Sequence, residues 1–445
     1  MTWEQAAYDP TPRPLMRTED PNSGPSWVRG SACWLWDAQG RRYLDLVASY
    51  GSLLWGHAHP RLVAAAQQQS AQLPHLTGLA TELRGQLCAK LAAIHPMANG
   101  DAGQSSPCKA WLVTTGARAV ELAMKLSLHR KPGRILHFDR GFHGRSIATG
   151  AISDTRWLKQ LPTFPRGSIP FPDCRRCAWG NVVTDCQTAD CLKSWVAANE
   201  PLLDDVSAVI VEPIPGAKGY LTAADSLFRD LRRLADQRGW WLIADEVQTG
   251  LGRTGNLLAC QAQGWTPDVV CVGKSLGGGI VPIAAVLGPA ASMDELPAGV
   301  ESETFGGGPL GCRVALAVLE LLEETPWKVW SETAGSGVRA VMAEAAKALP
   351  FPTAMEGIGA FGVLEVQEES RERSRELAWQ LACEARKAGI LFHWSGPSGN
   401  RLVALPPLVT PPHAWDWMLE RLQKGWKSIH GPTTRGTPYR ADQRH

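Results

Sequence analysis

The sequence predicts an α/β protein: a mostly parallel sheet covered by helices in a large unit, joined to a smaller α+β unit. Two observations carry that expectation. From Ala110 to Leu287, short runs that are apolar on both faces alternate with helix-period segments, the pattern of strands buried on both sides. After Leu310 the rhythm changes to long helical stretches and brief strands. The chain has 445 residues, room for two or three domains at ~100–200 residues each.

Residues 9–25 are rich in Pro, Thr, Asp and Ser and read as an extended arm. A hairpin follows around Cys33–Leu46. Strands are expected at Ala110–Thr114, Arg134–Phe138, Ser207–Val211, Trp240–Ala244, Asp268–Val272 and Pro282–Leu287. Helices are expected at Ala117–His129, Ala189–Asn199 and Ser226–Gln237. Beyond Leu310 come a long helix, then Gly359–Val366, Arg371–Ala388, Ile390–His393 and Arg401–Leu405. The expected division is 1–70 (arm and part of the small domain), 71–325 (large domain, with a Cys-rich insertion at 170–192) and 326–445 (rest of the small domain). The N-terminal hairpin joins the C-terminal unit in this reading, which makes the small domain discontinuous.

Forty-five Lys+Arg against 43 Asp+Glu leave a net charge of +2, which argues against a nucleic-acid or membrane-surface role built on net charge. No apolar run reaches the ~18 residues of a spanning helix; the best, Ile280–Met293, is broken by Pro282, Gly288 and Pro289. Residues 1–20 lack the apolar core of a secretory signal. The expectation is a cytoplasmic enzyme with no nucleic-acid or membrane partner.

In open α/β sheets, ligands collect at the carboxyl ends of the strands. The first strand here leads to Thr115-Gly116-Ala117, which opens a helix, and the second to Phe142-His143-Gly144-Arg145. The next two end in Glu212-Pro213 and in Asp245-Glu246-Val247-Gln248. The fifth reaches Gly273-Lys274-Ser275 and the glycines Gly277–Gly279. A helix N-terminus can hold a phosphate, although most such turns only redirect the chain. A lone Lys is usually a solvated charge, yet Lys274 sits between a buried strand and a glycine run. Asp245 ends a buried strand, where an unpartnered carboxylate is costly. A phosphate cradle, a buried carboxylate and a buried lysine together point to pyridoxal phosphate.

The runs WDAQGRRYLDL, WGHAHP, TTGARAVELAMKL, FHGR, VEPI, LIADEVQTGLGRTG, PDVVCVGKSLGGG and TFGGGPLGCRVAL resemble the class III aminotransferases, a fold-type I, pyridoxal-phosphate-dependent group that includes ornithine, acetylornithine and 4-aminobutyrate enzymes. The resemblance spans about residues 30–410. It implies that Lys274 is the Schiff-base lysine and Asp245 the partner of the pyridinium nitrogen. It also implies a phosphate cup of Thr115, Gly116 and Ala117, a ring sandwiched by Val247 and Phe142 with His143 beside them, and Gln248 near the phenolic oxygen. Thr304 would reach the phosphate of a neighbouring subunit, so the working unit is a homodimer or a dimer of dimers.

The same resemblance makes Arg145 a clamp for a substrate carboxylate, Tyr50 a pocket residue, and Glu212 a gate that pairs with a second arginine. That arginine is absent: its place, three residues before Pro406-Pro407-Leu408, holds Val403. Arg401 lies two residues earlier and, on a strand, faces the same side; either it stands in, or the acceptor is pyruvate or another carbonyl. Arg118 also replaces a common Glu. The expected reaction moves an amino group, a terminal one, from a small amino acid or diamine to a keto acid or aldehyde. A racemase, epimerase or decarboxylating transaminase on the same scaffold is the alternative, and a non-catalytic metal-binding regulator the second.

Of eleven cysteines, four fall close together at Cys174, Cys177, Cys186 and Cys191. Four thiolates starting with Cys-x-x-Cys can surround one iron–sulfur cluster or, as the alternative, one zinc. Four unligated thiols in a surface insertion is the competing reading. A cluster would be structural or redox-sensing.

Overall fold

A computed structural model describes residues 25–99, 106–153, 164–173, 190–217, 219–297 and 299–429. Fifteen strands fall into three sheets among these residues. A small one begins with β1 (Trp27–Ser31), β2 (Trp34–Asp37) and β3 (Arg42–Asp45). The large sheet holds β4 (Cys108–Val113), β5 (Arg134–Phe138), β6 (Arg166–Ile169), β7 (Val206–Val211), β8 (Trp241–Asp245), β9 (Val269–Val272) and β10 (Ala284–Pro289). Its spatial order is β4-β10-β9-β8-β7-β5-β6, and only β10 runs against its neighbours. The fold is the α/β architecture that the alternating runs predict.

Every residue of β7, β8 and β9 is buried, as expected of strands covered on both faces. The helix Gly116–Arg130 lies across β10, β9 and β7 and buries Ala119, Val120, Leu122, Ala123 and Leu126. The helix Asp225–Arg238 buries Leu227, Phe228, Leu231 and Ala235 on one side. It stops at Gly239, whose φ of 65° is the left-handed cap that glycine adopts without steric penalty. The edge strand β6 is absent from the sequence expectation because Arg166-Gly167-Ser168-Ile169 carries no apolar alternation; only Ile169 is buried.

The C-terminal part adds β11 (Thr353–Glu356), β12 (Gly362–Val366), β13 (Ile390–Leu391), β14 (His393–Ser395) and β15 (Arg401–Ala404). The expected single strand Ile390–His393 is two strands in two sheets. β13 pairs in parallel with β3, whereas β14 pairs with β15; the buried Phe392 between them marks the crossover. An N-terminal hairpin and a C-terminal strand therefore share one sheet. Likewise, the one long helix expected after Leu310 is two, Pro309–Glu324 and Trp327–Ala346, because Pro326 cannot continue the first. No helix of the described residues is long and apolar enough to cross a membrane.

Candidate active site

Thr115, Phe142, Glu212, Asp245 and Lys274 follow the carboxyl ends of β4, β5, β7, β8 and β9. Thr115 caps the helix after β4: its hydroxyl accepts the Arg118 N–H at 3.3 Å. The N–H groups of Gly116 and Ala117 are left without a protein partner among the described residues, the usual condition of a first helical turn. A Cβ on Gly116 would lie 2.8 Å from Val247 Cγ1; glycine is required for the turn to pass that close. These free donors, the helix's positive end and the half-buried Val247 beside them suit a phosphate joined to a flat ring.

Asp245 is buried at the end of β8. Its Oδ2 lies 2.7 Å from His143 Nδ1, and its Oδ1 accepts the Val247 N–H at 3.1 Å. Burial opposes a proton on His143, but the bond and charge of Asp245, with Glu212 behind, outweigh it and raise the imidazole above its usual range. His143 thus contacts Asp245, and its buried Nε2 has no partner. Glu212 is buried at the end of β7 and is held by backbone, with Oε1 accepting Phe142 N–H at 2.6 Å and Oε2 accepting Gly216 N–H at 3.1 Å. Burial, then the charge of Asp245, push it up to about 7.

Lys274 follows β9 with φ of 40°, a left-handed conformation that costs a residue bearing a Cβ ~1–2 kcal/mol. Burial lowers its pKa below the usual lysine range against the opposing charges of Glu212 and Asp245. Such a lysine is more readily neutral, hence nucleophilic and basic. A second strained stretch adjoins this turn, where the Ser275 hydroxyl donates to Gly51 O at 3.3 Å. Ala48, Ser49 and Tyr50 have φ of 45°, 50° and 55°, held by Asp45 Oδ1 on the Ala48 N–H at 2.9 Å and by Gln248 Nε2 on the Tyr50 carbonyl at 2.9 Å. Arg253, fully buried, donates to the carbonyls of Gly51, Ala360 and Pro406. Gln248 also donates to the Tyr220 hydroxyl.

Phe142 is half-buried, and the exposed Arg145 holds its guanidinium 4.9 Å from the Phe142 ring centroid. Arg145 has no carboxylate partner among the described residues. Arg401 shares the face of Val403, yet its guanidinium is already engaged. It is fully buried, donates to Glu365 Oε2 at 2.9 Å and Gly219 O at 2.7 Å, and lies 3.8 Å from Glu356. Arg118 is likewise engaged: it bonds Glu121 at 2.8 Å, Glu303 at 2.7 Å and also Glu301, tying the segment before Thr304 to the phosphate-cup helix. Thr304 is exposed, and its carbonyl accepts the Thr77 hydroxyl at 2.7 Å.

Sequence reasoning missed His393. It is the register partner of Val403, and its ring meets Tyr50 edge-to-face at 5.0 Å. Burial and the charge of Lys274 push it down to about 4. The period-two pattern across β14 and β15 was the only available signal. Of the metal candidates, Cys174, Cys177 and Cys186 lie outside the described residues, and Cys191 is half-buried in the helix Asp190–Asn199. Among the described residues no three His, Cys, Asp or Glu cluster as a metal site.

Comparison with known proteins identifies the family. The family described as aminotransferase class-III matches residues 18–425. The chain is 34% identical over 379 residues to the 5-aminovalerate aminotransferase DavT of Pseudomonas putida, covering 84% of this chain and 86% of that protein. It is 32% identical to the 4-aminobutyrate aminotransferase GabT of Escherichia coli, covering 85% and 88%. Among solved structures, ornithine aminotransferase from Toxoplasma gondii superimposes with a TM-score of 0.77 at 26% identity, covering 96% of this chain and 93% of that one. The non-catalytic reading falls away, and the chain belongs to the class III aminotransferases, enzymes that use pyridoxal phosphate.

Proposed function

We propose that this enzyme transfers the terminal amino group of an ω-amino acid or diamine to an oxo acid or aldehyde. The observation that carries the donor class is Arg145: an exposed guanidinium beside the ring of Phe142, without a carboxylate partner among the described residues. A bidentate fork so placed suits the distal carboxylate of a donor whose amine reaches Lys274. The activities named for the relatives, on 5-aminovalerate and 4-aminobutyrate, support the same class.

Bound pyridoxal phosphate supplies the electron sink that lets the substrate carbon lose its proton. In this reading the free N–H groups of Gly116 and Ala117 and the hydroxyl of Thr115 hold the phosphate. Val247 and Phe142 cover the ring faces, and Gln248 approaches its phenolic oxygen. Asp245 keeps a negative charge at the ring nitrogen while His143 fixes its carboxylate. Lys274 would hold the cofactor through its amine and, as a neutral amine, would move the proton at the reacting carbon. Tyr50 and Glu212 line the substrate space.

Thr304 is assigned to the phosphate of a second copy, in a homodimer or dimer of dimers; its exposure beside the 67% exposed Phe305 supports this. The four-cysteine spacing supports a metal proposal, an iron–sulfur cluster or zinc, checked by metal and sulfide analysis of anaerobically purified protein. Metal-free protein with four freely alkylated thiols would end it.

A panel of amines, each followed by the loss of the cofactor's visible band, tests the activity. ω-Amino acids and diamines should discharge the band, and the oxo acceptor should restore it. Sustained turnover of one amino acid without an acceptor would instead make the enzyme a racemase.

A further inference from the structure

One carboxylate from a distant part of the chain grips both ends of the phosphate cup. Thr115, Gly116 and Ala117 lie between Thr114 and Arg118. Glu303 Oε2 accepts the Thr114 N–H at 2.7 Å, and its Oε1 accepts the Arg118 Nε–H at 2.7 Å. The Arg118 backbone N–H in turn donates to the Thr115 hydroxyl at 3.3 Å. The cup is thus spanned from outside by one side chain that engages the residue before it and the residue after it.

The grip is itself braced. Arg118 bonds Glu121 at 2.8 Å and also the buried Glu301. Lys125, further along the same helix, bonds Glu301 at 2.6 Å. Residues 118, 121 and 125 share one helix face. All three guanidinium nitrogens of Arg118 are engaged with carboxylates, so its charge is spent on the protein. The segment that carries Glu303 also lies against β4: a Cβ on Gly306 would be 3.1 Å from Leu112 O. Across the cup, the loop after β5 presses on Ala117, since a Cβ on Gly144 would lie 2.6 Å from Ala117 Cβ. A shift of the cup therefore breaks a charge-assisted bond on one side or meets the Gly144 loop on the other.

We propose that Glu303 is a positioning residue for the cofactor's phosphate: by fixing Thr114 and Arg118 it holds the cup of its own copy in the arrangement that binds the phosphate. The inference rests on the pyridoxal-phosphate reading above. Backbone donors on a slack turn must be ordered when the anion arrives, which costs affinity; donors already held in place avoid that cost.

The test compares pyridoxal phosphate with pyridoxal, which has the same ring and aldehyde but no phosphate. Each is titrated into full-length protein stripped of cofactor and followed by the visible band and tryptophan fluorescence. Glu303→Ala should weaken pyridoxal phosphate roughly 10-fold, the usual loss for a hydrogen bond to a charged group, and leave pyridoxal near wild type. Inorganic phosphate, added as a competitor of pyridoxal phosphate, should weaken in parallel. Glu303→Gln keeps an oxygen for the Thr114 N–H and should recover part of the loss. With Thr304→Ala added, which removes the hydroxyl assigned to the second copy, the discrimination should persist. An equal loss for both compounds, an unchanged affinity for pyridoxal phosphate in a folded variant, or an effect that vanishes in the Thr304→Ala background would overturn the assignment. Failure of both Glu303 variants to fold would make the grip structural and overturn it too. A wild type that forms a band with neither compound would refute the pyridoxal-phosphate reading instead.

Discussion

His143 Nδ1 lies 2.7 Å from Asp245 Oδ2, and both side chains are buried. The imidazole bridges two strand ends, β5 through its loop and β8 through Asp245, and so fixes the carboxylate proposed to meet the ring nitrogen. Asp245→Asn should keep the cofactor and lose most of the rate, since the shape stays and the charge goes. His143→Ala should lower kcat by roughly 10-fold, the worth of a charge-assisted hydrogen bond, with the cofactor retained. Stopped-flow rates of band discharge check both; a near-wild-type rate in the asparagine variant would refute the electron-sink role.

Arg401 and Glu365 form a buried pair at 2.9 Å. Removing one partner leaves the other charge buried, which typically costs about 3–5 kcal/mol. Arg401→Met is therefore expected to lower the urea midpoint strongly and to leave the acceptor KM near wild type. A stable variant with a raised acceptor KM would show instead that Arg401 binds substrate.

Glu212 has its carboxyl pushed up to about 7 by burial. A carboxyl raised in the folded state contributes stability below its unfolded value, near 4.5, and loses it as pH rises through about 7. Between pH 5 and pH 8, wild-type stability should fall relative to Glu212→Gln by roughly 1–3 kcal/mol. Parallel denaturation curves of the two holoenzymes across that range check it, and a constant difference would mean that Glu212 stays ionised.

Arg145→Ala should weaken carboxylate-bearing amines by at least ~10-fold in kcat/KM and affect simple amines and diamines much less. Equal losses for both would make its role structural.

Much of this was legible in the sequence because the large sheet is buried on both faces: β7, β8 and β9 announce themselves as apolar runs, and Glu212, Asp245 and Lys274 stand out where those runs stop. Spacing also placed Arg401 on the face of Val403. What spacing could not show was the carboxylate of Glu365 on the neighbouring strand, which claims that guanidinium. The role of Arg118 was hidden for the same reason, since Glu301 and Glu303 are far away in sequence. His393 escaped notice because Ile390–His393 reads as one strand; the turn at Phe392 into a second sheet is what sets its ring against Tyr50. Likewise, nothing local in Ala48-Ser49-Tyr50 predicts a left-handed stretch. It persists because Asp45, Gln248 and Arg253 hold it from outside.

The central claim is that Lys274 carries the cofactor, and borohydride trapping tests it most directly. Reduction of the holoenzyme fixes the cofactor to whichever lysine holds it, and peptide mass spectrometry locates the adduct. The account predicts a single pyridoxyl adduct on Lys274, absent in Lys274→Ala protein that still folds as the wild type does. An adduct on another lysine, or none on a protein that shows the visible band, would contradict it.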